Sequence, residues 1–282
     1  MKPQLAVWSS YYVELSPEDA VEEFIKYGIT ASELSDEHAA MLLERGEPRV
    51  VGRAFAAFLQ ERQFTMTQGH LWLQCRLCQE GAVETLCRWL ELFDAIGIKD
   101  AVLHLDSMGQ NPDLTPDQKY ACNLEKLLLL QDYIKSHGLV VRICIENLGG
   151  IFAHIDQLMT VITQLDKAYF GICLDTGHLN LQENRDQYNF IQRAGDRLYA
   201  LHIADNEGKT DQHMMPYGRG CVDFSAVLKG LSECQYTGLF NLEIPGERFA
   251  PLPVRGFKLQ YIQKCYEYLF RDYLGTSGTT TS

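Results

Sequence analysis

The chain lacks any long apolar run. No stretch approaches the roughly 18 consecutive apolar residues that a membrane-spanning helix needs. The apolar stretch within the first ten residues is also too short for a secretory signal peptide. We therefore expect a cytoplasmic protein with no membrane partner.

Basic residues are scarce relative to acidic ones. The 282 residues contain 25 Lys and Arg against 37 Asp and Glu, which gives a formal net charge of −12 at pH 7. This balance provides no general attraction to phosphate backbones or anionic lipid. Nucleic acid is therefore disfavoured as a partner. Hydrophobic residues make up 46% of the chain, which is enough for the core of a globular protein.

The sequence shows no disulfide framework. The nine cysteines are an odd number, and most lie inside apolar or helical segments, a pattern typical of buried reduced thiols. Cys75 and Cys78 form one Cys-x-x-Cys pair, but no second pair completes a zinc site. The pair also precedes a helical segment instead of opening one, so a redox motif is not favoured.

Short apolar runs alternate with amphipathic segments from end to end. The runs are continuous, as expected for strands buried on both faces. They cover residues 5–8, 29–34, 64–67, 101–105, 140–145, 170–174, 199–203 and 239–242. Helix signals lie between them. Ser16 before Pro17 predicts one helix start, and Thr115 and Gly138 predict the two ends of a long helix.

Eight strand–helix units predict an α/β protein with a single (β/α)₈ barrel, the TIM barrel. An open doubly wound sheet is the alternative, but no Gly-x-Gly-x-x-Gly follows the first run. No linker rich in glycine, proline or serine divides the chain. We expect one barrel domain over residues 1–274 and a disordered tail over residues 275–282.

Ionisable side chains follow most of the predicted strands. In a TIM barrel the C-terminal strand ends meet at one mouth, where this fold places its chemistry. The residues at these ends are Glu33, His70, His104, Glu146, Asp175, His202 and Glu243, and His178, Asp211, His213 and Arg219 lie in the following loops. One such residue is usually a solvated loop residue. Several carboxylates and imidazoles at one mouth would repel each other or shift each other's pKa unless a cation lay among them.

We therefore predict a divalent metal held by Glu146, Asp175, His202 and Glu243 at four strand ends. Oxygen-rich ligation suits Mn²⁺, Mg²⁺ or Co²⁺, and nearby histidines favour Zn²⁺ or Fe²⁺. Mn²⁺ and Zn²⁺ are the favoured ions. The candidates for substrate binding or additional metal ions are His70, His104, His178, Asp211, His213 and Arg219. Glu33 is a weaker candidate for substrate binding, and Trp8 and Trp72 could stack on a substrate, although a core role is favoured for both.

Four motifs resemble those of the xylose-isomerase-like superfamily of metal-dependent barrels, over essentially the whole chain. They are Ile145-Glu146-Asn147, Leu174-Asp175-Thr176-Gly177-His178, Leu201-His202-Ile203-Ala204-Asp205-Asn206 and Leu242-Glu243. The superfamily includes sugar isomerases, ketose 3-epimerases, inosose dehydratases and abasic-site nucleases of the endonuclease IV type. The resemblance implies that Glu146 and Glu243 are a catalytic acid/base pair as well as metal ligands, and that His178 contacts substrate. The chain lacks two arginines of the ketose 3-epimerase pattern, one of them replaced by His213.

The resemblance implies a divalent-metal-dependent isomerase or epimerase of a sugar or sugar phosphate. Such an enzyme works by proton transfer through a metal-stabilised enediolate. One alternative is a zinc phosphodiesterase acting on abasic DNA, because nine residues match the three-zinc nuclease site: His70, His104, Glu146, Asp175, His178, His202, Asp211, His213 and Glu243. The net charge disfavours that alternative. A non-catalytic sugar-binding barrel is the other alternative, and the sequence is compatible with a homo-oligomer.

Overall fold

Eight strands and ten α-helices alternate over residues 2–107, 109 and 111–273, which the computed structural model describes. The strands are β1 (Gln4–Val7), β2 (Ala31–Leu34), β3 (Thr65–His70), β4 (Asp100–Leu103), β5 (Arg142–Glu146), β6 (Phe170–Asp175), β7 (Leu198–His202) and β8 (Leu239–Leu242). Each predicted run overlaps one strand, so the predicted alternation is confirmed. The predicted tail over residues 275–282 lies outside the described residues.

The helices begin and end at residues with a clear physical preference for those positions. They are α1 (Pro17–Lys26), α2 (Asp36–Leu43), α3 (Pro48–Glu61), α4 (Ala82–Ile96), α5 (Pro116–His137), α6 (Ile155–Ile162), α7 (Thr176–Asn180), α8 (Gln187–Ala194), α9 (Phe224–Glu233) and α10 (Leu252–Tyr268). Helix α5 starts with a capping box, in which the Gln118 backbone N–H donates to Thr115 Oγ1 at 3.3 Å. It ends at Gly138, whose φ of +63° is left-handed.

The strands pair in parallel in two hydrogen-bonded groups. Strands β2 to β7 form a curled six-stranded sheet in sequence order, and β1 pairs with β8. An isolated parallel bridge joins Ile203, the residue after β7, to Leu242 in β8. The Trp8 backbone N–H, just after β1, donates to the Leu242 carbonyl at 3.0 Å. The C-terminal ends of β7, β8 and β1 are therefore adjacent.

A layer of small apolar side chains lies beneath the polar strand ends. It consists of Val102, Cys144, Cys173 and Ala200, one each from β4, β5, β6 and β7. Each precedes a candidate site residue by two positions: His104, Glu146, Asp175 and His202. Side chains two apart on a strand point to the same face. The alternation that buries the small layer therefore also directs the four polar side chains inward.

The cysteines form no disulfide in the described chain. All nine are free thiols, and Cys75, Cys87, Cys144 and Cys173 are buried. Over the same residues, no helix has both the length and the apolar character needed to cross a bilayer.

Candidate functional site

The four predicted metal ligands converge at the C-terminal strand ends. Glu146, Asp175 and His202 are the last residues of β5, β6 and β7, and Glu243 follows β8 directly. All four side chains are buried. His202 Nδ1 lies 3.1 Å from Glu146 Oε2 and 3.2 Å from Glu243 Oε2. Asp175, His202 and Glu243 each offer one ligand atom, and these atoms lie within 4.8 Å of one another.

Each of these side chains keeps one buried atom that forms no hydrogen bond among the described residues, although three of the four atoms lie within ion-pair distance of a neighbour in the cluster. The atoms are Glu146 Oε1, Asp175 Oδ2, His202 Nδ1 and Glu243 Oε2. A buried polar or charged atom left in this state carries a penalty that a cation removes. Three carboxylates and one imidazole also form a suitable ligand set for a divalent ion. The residues present therefore fit a divalent metal.

Asn147 and the start of α7 hold Asp175 in place. The Asp175 backbone N–H donates to Asn147 Oδ1 at 2.7 Å, and Asn147 Nδ2 donates to the Asp175 carbonyl at 2.9 Å. Asp175 Oδ1 caps α7 by accepting the His178 backbone N–H at 2.5 Å. One carboxylate oxygen is thereby engaged, which leaves Oδ2 for the site.

Glu33 lies behind His202, away from the cavity. His202 Nε2 is 3.0 Å from the Glu33 carboxylate. The same carboxylate accepts hydrogen bonds from Gln68 Nε2, at 2.9 Å, and from Asn241 Nδ2. An acceptor at Nε2 orients the imidazole ring with Nδ1 towards Glu146 and Glu243. The interpretation of Glu33 as a substrate ligand missed this contact. The position of Glu33 inside a fully buried strand could have indicated this role, because a buried carboxylate must find a partner.

Two further groups of donors flank the four converging side chains. In the first, Asp211 Oδ2 lies 3.1 Å from His178 Nε2 and 3.0 Å from His213 Nε2. In the second, Glu146 Oε2 lies 3.0 Å from His104 Nε2 and 3.7 Å from His70 Nε2. His178 Nδ1 is 2.9 Å from Glu146 Oε1 and connects the first group to the centre. The structure therefore brings together all the histidines and carboxylates named as site candidates.

Arg219 is the predicted site residue that does not join them. Its side chain is 74% exposed, and its Nε lies 3.7 Å from Glu207 Oε1. The loop after β7 turns this guanidinium towards solvent, where it pairs with a carboxylate of the same loop. Trp8, in contrast, lines the cavity beside Glu243, and Trp72 is not among the lining residues.

Burial and neighbouring charges perturb the pKa values of the cluster. Burial opposes the protonation of His202, but Cys173, Glu243 and Glu33 together raise its pKa well above the ordinary value. Burial also raises the pKa of Glu243 to about 7. Burial opposes the ionisation of Glu146, but His104 and His202 hold its pKa well below the usual range. The imidazoles and carboxylates of the cluster are thus strongly coupled, and a metal cation can take the place of the protons on the imidazoles.

A cavity of about 490 Å³ opens over the cluster. Its polar lining consists of His104, Glu146, His178, Asp211, Gln212, His213 and Glu243, and its apolar lining of Trp8, Leu73, Leu148 and Pro245. This volume suits a small molecule. A cavity of about 520 Å³ lies at the opposite strand ends, around Asp100 and Arg142, and contains none of the predicted site residues. The cavity of about 490 Å³ is favoured as the functional one, because it lies at the C-terminal strand ends and is lined by the predicted site residues.

The fold and this site agree with a family match. The sequence profile of the xylose isomerase-like TIM barrel family matches residues 19–265. The chain belongs to this family, whose fold is the TIM barrel.

Three comparisons illustrate the range of relatives. The uncharacterized protein y4fM of Sinorhizobium fredii is 29% identical over 203 residues, which cover 68% of this chain and 60% of that relative. D-psicose 3-epimerase from Clostridium cellulolyticum H10, solved with D-tagatose, superposes with a TM-score of 0.78 at 14% identity, over 94% of this chain and 99% of that one. The 3-keto-D-glucoside 4-epimerase of Escherichia coli gives a TM-score of 0.71 at 17% identity, over 94% of this chain and 100% of that one. These structural likenesses show the fold alone.

Proposed function

We propose that the chain is a divalent-metal-dependent isomerase or epimerase of carbohydrates, with Mn²⁺ or Zn²⁺ as its metal. The observation that carries the proposal is the convergence of Glu146, Asp175, His202 and Glu243 in one buried cluster, each with a buried atom that forms no hydrogen bond among the described residues. Two of these residues, Glu146 and Glu243, also line the small-molecule cavity. The sugar epimerases among the structural neighbours support the same class of reaction.

Glu146 and Glu243 form the acid/base pair of the proposed reaction. A bound divalent cation supplies Lewis acidity, which makes the C–H proton beside a sugar carbonyl removable near neutral pH. One glutamate removes this proton as general base, and the other donates a proton as general acid. Delivery to the opposite face of the same carbon is epimerisation, and delivery to the adjacent carbon is isomerisation. The two side chains come from β5 and β8, on different sides of His202, which allows them to act at different faces of one substrate.

The remaining cavity residues bind the substrate. His104, His178, His213 and Asp211 present nitrogen and oxygen atoms to the cavity and can hydrogen bond with sugar hydroxyls. Trp8 offers an apolar surface to the C–H face of the sugar, and its Nε1 is held by the Ile244 carbonyl at 3.2 Å. Together these contacts position the substrate carbon between the two glutamates.

The experiment is solvent deuterium exchange into candidate sugars, followed by NMR, with metal-free and Mn²⁺-loaded protein. We expect metal-dependent exchange at one substrate carbon, and a loss of at least about 100-fold in Glu146→Gln and Glu243→Gln, as is usual for removal of a general acid or base. Glu125→Gln, on the exposed face of α5, is the matched control. Exchange that persists without metal, or in both glutamine variants, would contradict the proposal.

We also infer that the two hydrogen-bonded groups of strands form one closed barrel and a single domain. The inference is supported on both sides of the β1–β8 pair. The Ile203 backbone N–H donates to the Asn241 carbonyl at 2.8 Å, and Ser32 Oγ donates to the Val7 carbonyl at 2.6 Å. One cooperative unfolding transition, with slow amide exchange at Ile203 and Glu243, is the expected result.

A zinc phosphodiesterase is the second candidate function. The observation that favours it is the presence of two further donor groups, His70–His104–Glu146 and His178–Asp211–His213, each with ligand atoms within 4.8 Å. Elemental analysis separates the two functions: about one ion per chain favours the isomerase, and about three zinc ions favour the phosphodiesterase. Cleavage of an abasic oligonucleotide would then decide for the second candidate.

A further inference from the structure

The cavity over Glu146 and Glu243 has no lysine or arginine in the described part of its lining. Its basic side chains are His104, His178 and His213, and each already faces a carboxylate. His104 Nε2 lies 3.0 Å from Glu146, and His178 and His213 lie 3.1 Å and 3.0 Å from Asp211. The residues outside the described ranges contain no lysine or arginine either. No lysine or arginine therefore lines the cavity, and Lys258, whose Nζ donates to the carbonyl of the lining residue Pro245 at 2.9 Å, is paired with Glu247 at 3.1 Å.

Neither of the helices that follow the seventh and eighth strands offers a free N-terminus to an anion. TIM barrels commonly bind phosphate at a helix N-terminus near the loops after the seventh and eighth strands. Helix α9, which follows β7, is capped by Asp223, whose Oδ1 accepts the Ala226 N–H at 3.0 Å. Helix α10, which follows β8, starts at Leu252 between Pro251 and Pro253, and proline has no N–H to donate. The N-terminus of α9 is therefore occupied by a carboxylate, and the N-terminus of α10 lacks the amide donors that its prolines replace.

The charge and polarity of the cavity walls also oppose a phosphate. Five carboxylates, Glu33, Glu146, Asp175, Asp211 and Glu243, lie within or directly behind the cluster. The imidazoles of His178, His202 and His213 already face these carboxylates, as a bound divalent cation would, so a phosphate dianion would find no unpaired positive charge. The remaining wall, Trp8, Leu73, Leu148 and Pro245, is apolar and cannot solvate an anion. The same wall suits the carbon skeleton of a neutral sugar.

We propose that the substrate of this site is an uncharged sugar and not a sugar phosphate. This inference rests on the proposed function and specifies its substrate class. It predicts that discrimination arises from the absent cation and the negative cluster, and not from the size of the cavity, whose volume of about 490 Å³ can hold either molecule.

The test compares neutral ketopentoses and ketohexoses with their terminal monophosphates in the deuterium-exchange assay, using Mn²⁺-loaded protein. We expect kcat/KM for the neutral sugar that exchanges fastest to exceed that of its own phosphate by at least about tenfold. Equal or faster exchange of the phosphate would overturn the inference and leave the proposed function standing. Exchange with neither set would overturn the proposed function, and the inference with it.

A charge-introducing variant tests the physical cause. Leu73 lines the cavity, and its backbone N–H donates to Asp36 Oδ2 at 3.2 Å, a bond that any side chain other than proline preserves. Leu73→Lys should raise the phosphate-to-sugar ratio of kcat/KM by about tenfold, because it supplies the missing cation. Leu73→Met, of similar length and without charge, should leave the ratio unchanged. A folded Leu73→Lys protein with the wild-type ratio, or an equal shift in Leu73→Met, would overturn the inference.

Discussion

Replacing Glu33 by glutamine tests how the protein positions its central histidine. The change keeps the shape of the side chain and removes its negative charge. Glu33 accepts hydrogen bonds from His202 Nε2, Gln68 Nε2 and Asn241 Nδ2, and the glutamine amide retains one acceptor oxygen for three donors. Loss of such an outer partner typically weakens metal binding by about 10- to 100-fold. This factor corresponds to about 1.4–2.7 kcal/mol.

The assay is calorimetric titration of metal-free protein with Mn²⁺, with thermal unfolding of the same metal-free samples. Glu37→Gln is a matched control. Glu37 lies on the adjacent helix α2, and it accepts a hydrogen bond from Ser10 Oγ at 3.0 Å and none from the four proposed metal ligands. Metal affinity of Glu33→Gln within about twofold of wild type, in a folded protein, would refute the positioning role, because that difference is far below the expected loss.

Three further predictions concern protons and metal. Burial opposes the protonation of His202 and His178, but Cys173 and nearby carboxylates raise the pKa of His202, and carboxylates raise that of His178, well above the ordinary value. Metal binding must therefore displace protons. Mn²⁺ affinity should therefore fall as pH decreases, and the measured heat of Mn²⁺ binding should depend on the ionisation enthalpy of the buffer. A heat of binding that is the same in all buffers would contradict this prediction. Removal of metal by chelation should lower Tm, since a ligand at 100 times its Kd stabilises the folded state by about 2.7 kcal/mol; an unchanged Tm would count against a bound metal. Burial lowers the pKa of His38, whose Nδ1 is 2.8 Å from Ser9 Oγ. The stability that neutral His38 contributes is therefore fully present above the ordinary pKa of about 6.5, and it is lost as pH falls from that value through the lower pKa of the folded state. The acid-induced loss of unfolding free energy should be smaller in His38→Gln than in wild type, measured by urea unfolding at several pH values.

The strands and the site candidates could be predicted from the sequence because local patterns carry that information. Parallel strands are buried on both faces, so each appears as a continuous apolar run with its own boundaries. Glu146, Asp175 and His202 end such runs and Glu243 follows one, and the convergence of C-terminal strand ends then brings them together. Capping residues such as Thr115 act on their own helix and can also be recognised locally.

The tertiary structure alone decided which side chains face the cavity and which support it. Glu33 and His202 are 169 positions apart in the sequence. Their hydrogen bond exists only because the curled sheet brings the side chains of its two outer strands, β2 and β7, together. Arg219 and His213 occupy the same loop, yet the loop conformation turns one towards Glu207 in solvent and the other towards Glu243. Local composition predicts strands, caps and the polarity of loops, whereas such contacts depend on packing between distant segments, which no short stretch of sequence encodes.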